Sequence, residues 1–182
     1  MIVSLFRRSA RNANDAIIEN VYQAIIETAR KPVLFANYGV PDTPLGRYES
    51  LSAHMIAFLH RTRSSGENLE ALAQDIVDEF FTDVDHSIRE LGIGDTGVPK
   101  RMKKLGKMFY GRMGPYWTAF DGGSIEEFEA ALRRNIRPDD SENLRAEDLA
   151  AHMMQVRSIM GDYDNDDYLN GRVAAFVPKV AA

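Results

Sequence analysis

The sequence predicts an all-α protein, a single compact domain of about seven helices joined by short loops. Apolar residues recur at steps of three and four along most of the chain, which is the helical period. No stretch of useful length alternates between apolar and polar residues, as a half-buried strand would. The chain has 182 residues, 45% hydrophobic and 27% charged, which is usual for a soluble globular protein.

Each predicted helix is bounded by local signals. The first begins after Asn12 or Asn14 and ends at Lys31-Pro32, and residues 32–43 are expected to form a loop. Thr43-Pro44 begins the second helix with an N-cap hydroxyl and a proline at the first helical position. Further helices are predicted from about 67 to 91, from 98 to 113 (ended or kinked by Gly114-Pro115), from Ser124 to Pro138, over 149–160, and around Leu169, Val173 and Phe176.

These elements predict three regions. We expect residues 1–14 to form a basic tail, residues 15–120 to form the main helical domain, and residues 121–182 to add C-terminal helices to the same domain. No apolar run approaches the roughly 20 residues that cross a bilayer.

Several kinds of functional site have no support in the sequence. The chain has no cysteine, which excludes disulfides, thiolate metal sites and a cysteine nucleophile. Its four histidines show no i, i+4 pair, and no G-x-S-x-G motif occurs. We therefore expect no catalytic residue, no metal and no cofactor.

Two segments resemble ligand-binding motifs but stand in the wrong context. Residues 92–97 fit G-x-G-x-x-G, yet a long helix precedes them where a dinucleotide-binding fold has a strand. We interpret them as a turn between antiparallel helices, with Asp95 or Thr96 capping the second helix. Residues 162–173 begin like a calcium loop, but Asp167 and Val173 replace the required Gly and Glu.

The most informative segment is the predicted helix over residues 99–113, which carries six basic residues and no acid. At about 100° per residue, Lys100, Lys103, Lys104 and Lys107 share one face, and Met102, Leu105, Phe109 and Met113 share the opposite one. The basic face is either solvated and balanced by the acidic helix before it, or a docking surface for an acidic partner, RNA phosphates or anionic lipid headgroups. We favour a docking surface formed by Lys100, Arg101, Lys103, Lys104, Lys107, Tyr110, Arg112, Tyr116 and Trp117.

The block from Asp83 through Gly92-Ile-Gly94-Asp95 and Val98-Pro99 to Arg112 resembles the ubiquinol–cytochrome c chaperone family. The motif positions within it are Asp85, Arg89, Gly92, Gly94, Asp95 and Pro99. Residues 39–49 resemble the bacterial members of that family. The resemblance covers roughly residues 15–120, and residues 121–182 resemble no family that we can name.

The resemblance implies a non-enzymatic assembly factor for ubiquinol–cytochrome c reductase, respiratory complex III. It implies a cytochrome b-like membrane subunit as client, a small partner protein, and peripheral contact with a membrane or a ribosome. We expect a cytoplasmic location, at the inner face of the cytoplasmic membrane if peripheral (the matrix side in a mitochondrion), and no specific DNA binding. Two alternatives stay open: a ribosome- or RNA-associated protein that uses the same lysines, and an enzyme with a hydrophobic pocket between helices.

Overall fold

The computed structural model describes residues 2–178, with side chains described from residue 14, and this part of the chain is helical without a strand. The helices are α1 Ile2–Ala29, α2 Pro32–Ala36, α3 Pro44–Thr62, α4 Glu67–Glu90, α5 Val98–Gly122, α6 Ile125–Ile136, α7 Ala146–Asp162 and α8 Asn165–Leu169. A 3₁₀ turn at Ser141–Asn143 lies between α6 and α7. The predicted all-α class is confirmed.

The centre of the fold is α3, which packs against α1, α4, α5, α6 and α7. Its sequence suits that position, because residues 50–59 carry no Asp, Glu, Lys or Arg, and residues 52–58 are all buried. The Ser50 hydroxyl donates a hydrogen bond to the carbonyl of Ala29, at 2.8 Å, so a polar group on α3 is satisfied at the end of α1.

Helices α4 and α5 form a hairpin across residues 91–97. Gly92 ends α4 with a φ of +77°, a conformation that glycine adopts without steric cost. Aromatic rings set the register of the hairpin, because Phe81 of α4 lies 5.5 Å from Phe109 and 6.1 Å from Tyr110 of α5, centroid to centroid. The turn predicted at residues 92–97 is found, but Gly97 is the N-cap of α5 and no side chain caps it.

Of the two outcomes predicted for Gly114-Pro115, an end of the basic helix is wrong, since α5 continues through Pro115 to Gly122. An internal proline costs a helix about 3 kcal/mol. The turns after it bury Tyr116, Ala119 and Phe120. Burying a single Phe-sized side chain contributes about 1.5–3 kcal/mol, so this packing offsets the cost of the proline.

The two ends of the chain also differ from the prediction. The first helix begins at Ile2 rather than at Asn12 or Asn14; the side chains of the predicted basic tail up to residue 13 lie outside the described part. The last helix is only α8, and the backbone amide of Phe176 instead donates to the Thr28 hydroxyl of α1 at 2.8 Å. Residues 32–36, expected to be loop, form the short helix α2.

Candidate interaction surface

The first half of α5 presents a row of cations to solvent. Lys100, Arg101, Lys103, Lys104 and Lys107, here called the basic ridge, are all exposed. Within the described part of the chain, no carboxylate lies within 4.0 Å of any of their charged nitrogens. The opposite side of the helix faces the protein, with Phe109 fully buried and Met102 and Leu105 partly buried. The predicted amphipathic arrangement is therefore present.

Two large apolar side chains of the α4–α5 hairpin are exposed. Tyr110, one turn after Lys107, is 57% exposed, and its ring lies against Phe81. Leu91, at the start of the loop that leads into α5, is 56% exposed. The sequence pattern indicates Tyr110 but not Leu91, because a lone leucine after a helix C-terminus has no distinctive pattern.

Arg112 was predicted to belong to the surface, but it is buried. Its guanidinium donates to Glu49 Oε1 of α3 at 2.5 Å and to the carbonyl of Met108 at 2.7 Å. The side chains of Arg112 and Glu49 are only 9% and 2% exposed. A helical wheel of α5 could not reveal this, because the carboxylate that draws Arg112 inward comes from a different helix.

The burial of this ion pair also perturbs Glu49. Removal from water disfavours the carboxylate and raises the pKa of Glu49 to about 7, while the Arg112 guanidinium acts in the opposite direction. The second carboxylate oxygen, Oε2, and the Nε of Arg112 are buried without a hydrogen-bond partner in the described structure. The pair therefore joins α5 to α3 at a site where loss of either partner leaves an uncompensated buried group.

The two other aromatics proposed for the surface are less available than predicted. Tyr116 is 1% exposed and contacts Phe128 of α6, so it belongs to the core. Trp117 is half-buried, because its indole Nε1 donates to the carbonyl of Ile56 at 3.2 Å. The Arg63 guanidinium covers its ring at 5.2 Å from the centroid. Of Tyr110, Tyr116 and Trp117, only Tyr110 has most of its side chain exposed.

The motif residues of the 83–99 block converge on the hairpin loop. The Arg89 guanidinium donates to Asp85 Oδ2 at 2.6 Å and to Asp95 Oδ1 at 2.6 Å. The hydrogen bond from Arg89 holds the pKa of Asp85 below its usual range. Gly92 and Gly94 lie in the loop with open space where a β-carbon would be, and Pro99 lies in the first turn of α5. These residues shape the loop that precedes the basic ridge.

Two buried histidines contact each other, and no pattern in the sequence indicates this contact. His54 of α3 and His152 of α7 lie with ring centroids 6.2 Å apart. His54 Nδ1 bonds the Ser50 carbonyl at 2.7 Å, and the Nε2 atoms of both rings are buried without a partner in the described structure. Burial lowers the pKa of each to about 4. Only the packing of α3 against α7 brings these two side chains together.

Two depressions of the described surface are lined by residues outside the basic ridge. A depression of about 530 Å³ is lined by Arg61 and residues 161–166. Another of about 240 Å³ lies between α1, α4 and α8, lined in part by Ile17, Leu72 and Leu169. Within the same described residues, no helix has the length and apolar character needed to span a membrane, and no three His, Asp or Glu side chains are grouped to hold a metal ion.

The fold and the 83–112 block define the class of this protein. The chain belongs to the Ubiquinol-cytochrome C chaperone family, whose model matches residues 36–176. The match confirms the resemblance and extends it over α6, α7 and α8, which the sequence alone had left unassigned. It also includes Glu49 and Arg112.

A solved structure supports the same assignment. The crystal structure of the Cbp3 homolog from Brucella abortus superposes with a TM-score of 0.84, at 50% sequence identity over 96% of this chain and 96% of that chain. No curated protein sequence matches this chain significantly.

Proposed function

We propose that this protein is an assembly chaperone for ubiquinol–cytochrome c reductase, respiratory complex III. The observation that carries the proposal is membership of the Ubiquinol-cytochrome C chaperone family over residues 36–176. The similarity to the Brucella abortus Cbp3 homolog, which covers 96% of each chain, supports it. In this proposal the protein performs no chemistry and acts by holding a client.

The client that we propose is a newly made cytochrome b-like membrane subunit, bound at the inner face of the cytoplasmic membrane with the help of a small partner protein. The surface that we propose to face the membrane and the client is the exposed side of α5, which carries the basic ridge and, beside it, Tyr110. Its support is the exposure of these side chains and the absence of a carboxylate partner for the ridge in the described structure. Arg112 and Tyr116 are left out of this surface because they are buried.

Deletion and complementation test the assembly role. The gene is deleted in its host, and complex III is measured from the cytochrome b difference spectrum and from ubiquinol–cytochrome c reductase activity of membranes. Loss of complex III, with recovery by the wild-type chain, is the expected result. Normal complex III in the deletion strain would contradict the assembly role, whatever surface the protein uses.

Site-specific photocrosslinking tests the client. A photoreactive phenylalanine replaces Tyr110, which is 57% exposed on the proposed surface, or Leu45, which is 53% exposed in the first turn of α3. We expect cytochrome b to be crosslinked from position 110 and not from position 45. Equal crosslinking from both positions, or none from position 110, would remove this surface from the client proposal.

No specific observation of the structure favours either of the two alternatives, an RNA-associated protein or an enzyme. The RNA-binding alternative uses the same lysines and predicts affinity that falls steeply with salt for unrelated RNAs. The enzyme alternative needs a deep cavity with converging acids, whereas the larger depression, which Asp162, Asp164 and Asp166 line, is an open feature of the surface. The assembly proposal therefore stands on the family relationship, and the tests above address it directly.

A further inference from the structure

We infer that the basic ridge docks this protein on an anionic lipid surface, with its cations at the lipid phosphates and Tyr110 at the level of the headgroups. The inference refines the proposed function and rests on it, since it assigns the ridge to the membrane in which the client is made. The client itself would then be contacted beside the ridge rather than by the lysines.

The shape of the surface suits a bilayer. The ridge lysines follow one another at steps of three, one and three residues along a single helix face, which spans about 10 Å at the helical rise. The ridge side chains are all exposed, and none of them lines either of the two depressions described above, so they stand on the outer face of one helix. A flat, extended partner can meet all of its cations at once.

The sign of the charge also favours lipid over a loop of a membrane protein. Inner-face loops of membrane proteins carry an excess of Lys and Arg, which would repel the ridge. The inner leaflet is negative and attracts basic segments next to it. The acid in the preceding loop, Asp95, is already paired with Arg89. The first turn of α5 contains no acid, and no side chain caps its N-terminus. The positive end of the helix dipole therefore adds to the positive charge of the ridge.

The exposed apolar residues fit the same partner. Tyrosine has an apolar ring and a polar tip, and it is enriched where membranes meet water. Tyr110 is held in place by Phe81, so little side-chain freedom is lost when it enters the headgroup region. Leu91, which is exposed at the start of the loop that leads into α5, adds a second exposed apolar side chain to the hairpin. Charge and apolar area on one face together are typical of a peripheral membrane surface.

Vesicle flotation tests the inference. The purified full-length chain is mixed with vesicles of phosphatidylcholine alone or with about one third phosphatidylglycerol, at low and at physiological salt. We expect binding to the anionic vesicles, weakened by salt, and none to the neutral ones. Each cation near the surface strengthens binding about fivefold, so the variant Lys103→Glu/Lys104→Glu/Lys107→Glu should bind at least about 100-fold more weakly.

A matched control separates local from global charge. Arg30→Glu/Arg134→Glu/Arg157→Glu changes the net charge equally at three exposed arginines outside α5 that have no carboxylate within 4.0 Å in the described structure. This control should keep most of the vesicle binding. Tyr110→Ala should weaken binding several-fold and Tyr110→Trp should not. Circular dichroism checks that each variant is folded, and Lys→Gln at the three ridge positions replaces the reversal if it is not.

Three results would overturn the inference: no binding of the wild-type chain to anionic vesicles, equal loss in the ridge and control variants, or lysine-dependent binding to RNA without binding to vesicles. None of these assays contains complex III or its subunits. A chain that does not bind vesicles would therefore leave the assembly role unaffected. Normal complex III in the deletion strain would contradict the assembly role and would not change the vesicle result.

Discussion

The buried ion pair between Arg112 and Glu49 leads to the sharpest prediction. Arg112→Met keeps a long apolar stem in the core but removes the guanidinium, which bonds Glu49 Oε1 at 2.5 Å and the carbonyl of Met108 at 2.7 Å. Glu49 would then be buried with neither oxygen partnered, because its Oε2 already lacks a partner in the described structure. We expect a large loss of stability from a residue that the sequence placed on the surface.

The magnitude follows from the burial of both partners. Removing one member of a buried ion pair costs about 3–5 kcal/mol, because the other charge stays uncompensated. For a domain of this size 1 kcal/mol shifts Tm by about 2–4 °C, so Tm should fall by roughly 6–20 °C. Glu49→Leu/Arg112→Met replaces the pair with apolar groups of similar volume and should return to within about 1–2 kcal/mol of the wild type.

The pH dependence supplies an independent check. The folded pKa of Glu49, about 7, is above its value of 4.5 in the unfolded chain, so folding binds this proton more tightly and stability falls as pH rises between these values. Without Arg112 the folded pKa rises further, and the loss of stability continues above pH 7. The deficit of Arg112→Met should therefore be larger at pH 8 than at pH 5.

Urea denaturation followed by circular dichroism at both pH values measures these free energies of unfolding. Wild type, both single variants and the double variant form a double-mutant cycle, and we expect a coupling of about 3 kcal/mol or more. A stability of Arg112→Met within 1 kcal/mol of the wild type at pH 8 would refute the reasoning, because it would mean that the guanidinium does not compensate Glu49.

Three further predictions concern other parts of the fold. His54 and His152 have folded pKa values of about 4, below the usual 6.5, so the unfolded chain binds more protons and each ring loses stability as pH falls through this range, by about 3 kcal/mol in all; relative to the wild type, His152→Phe should remove about 2 kcal/mol of the loss in free energy of unfolding between pH 7 and pH 4.5 in urea titrations. Thr28→Val removes the hydroxyl that accepts from the C-terminal segment and should cost about 1–3 kcal/mol in denaturation. Arg89→Gln should speed hydrogen exchange of the amides over residues 91–97 without moving the midpoint of global unfolding, because its ion pairs are exposed.

Each of these has a contradicting result. If the free energy of unfolding falls equally between pH 7 and pH 4.5 in His152→Phe and in the wild type, groups other than His152 cause the loss. An unchanged free energy of unfolding in Thr28→Val would show that water replaces the hydroxyl at no cost. Unchanged exchange in Arg89→Gln would show that the loop holds its shape without the ion pairs.

The local pattern of the sequence was sufficient for most of the secondary structure. The N-cap at Thr43 forms as predicted, with its hydroxyl accepting the amide of Gly46 at 3.1 Å. The helix predicted from Ser124 begins there too, with the Ser124 hydroxyl accepting the amide of Glu127 at 3.2 Å. These features depend on residues within one or two turns, and a single sequence contains that information. The limits of α5 and of the last helix were wrong, because there long-range packing outweighs the local preference.

The sequence by itself determined the all-α class, the family and the amphipathic character of the basic helix, since each is encoded in the order and spacing of neighbouring residues. Only the tertiary structure decided which polar residues of that helix face solvent. Lys103 and Lys107 stay outside, while Arg112 turns inward to a carboxylate 63 positions earlier in the chain. The spacing of residues on one helix sets the direction in which a side chain points. Whether a charged side chain is buried or exposed also depends on the groups that other helices place next to it.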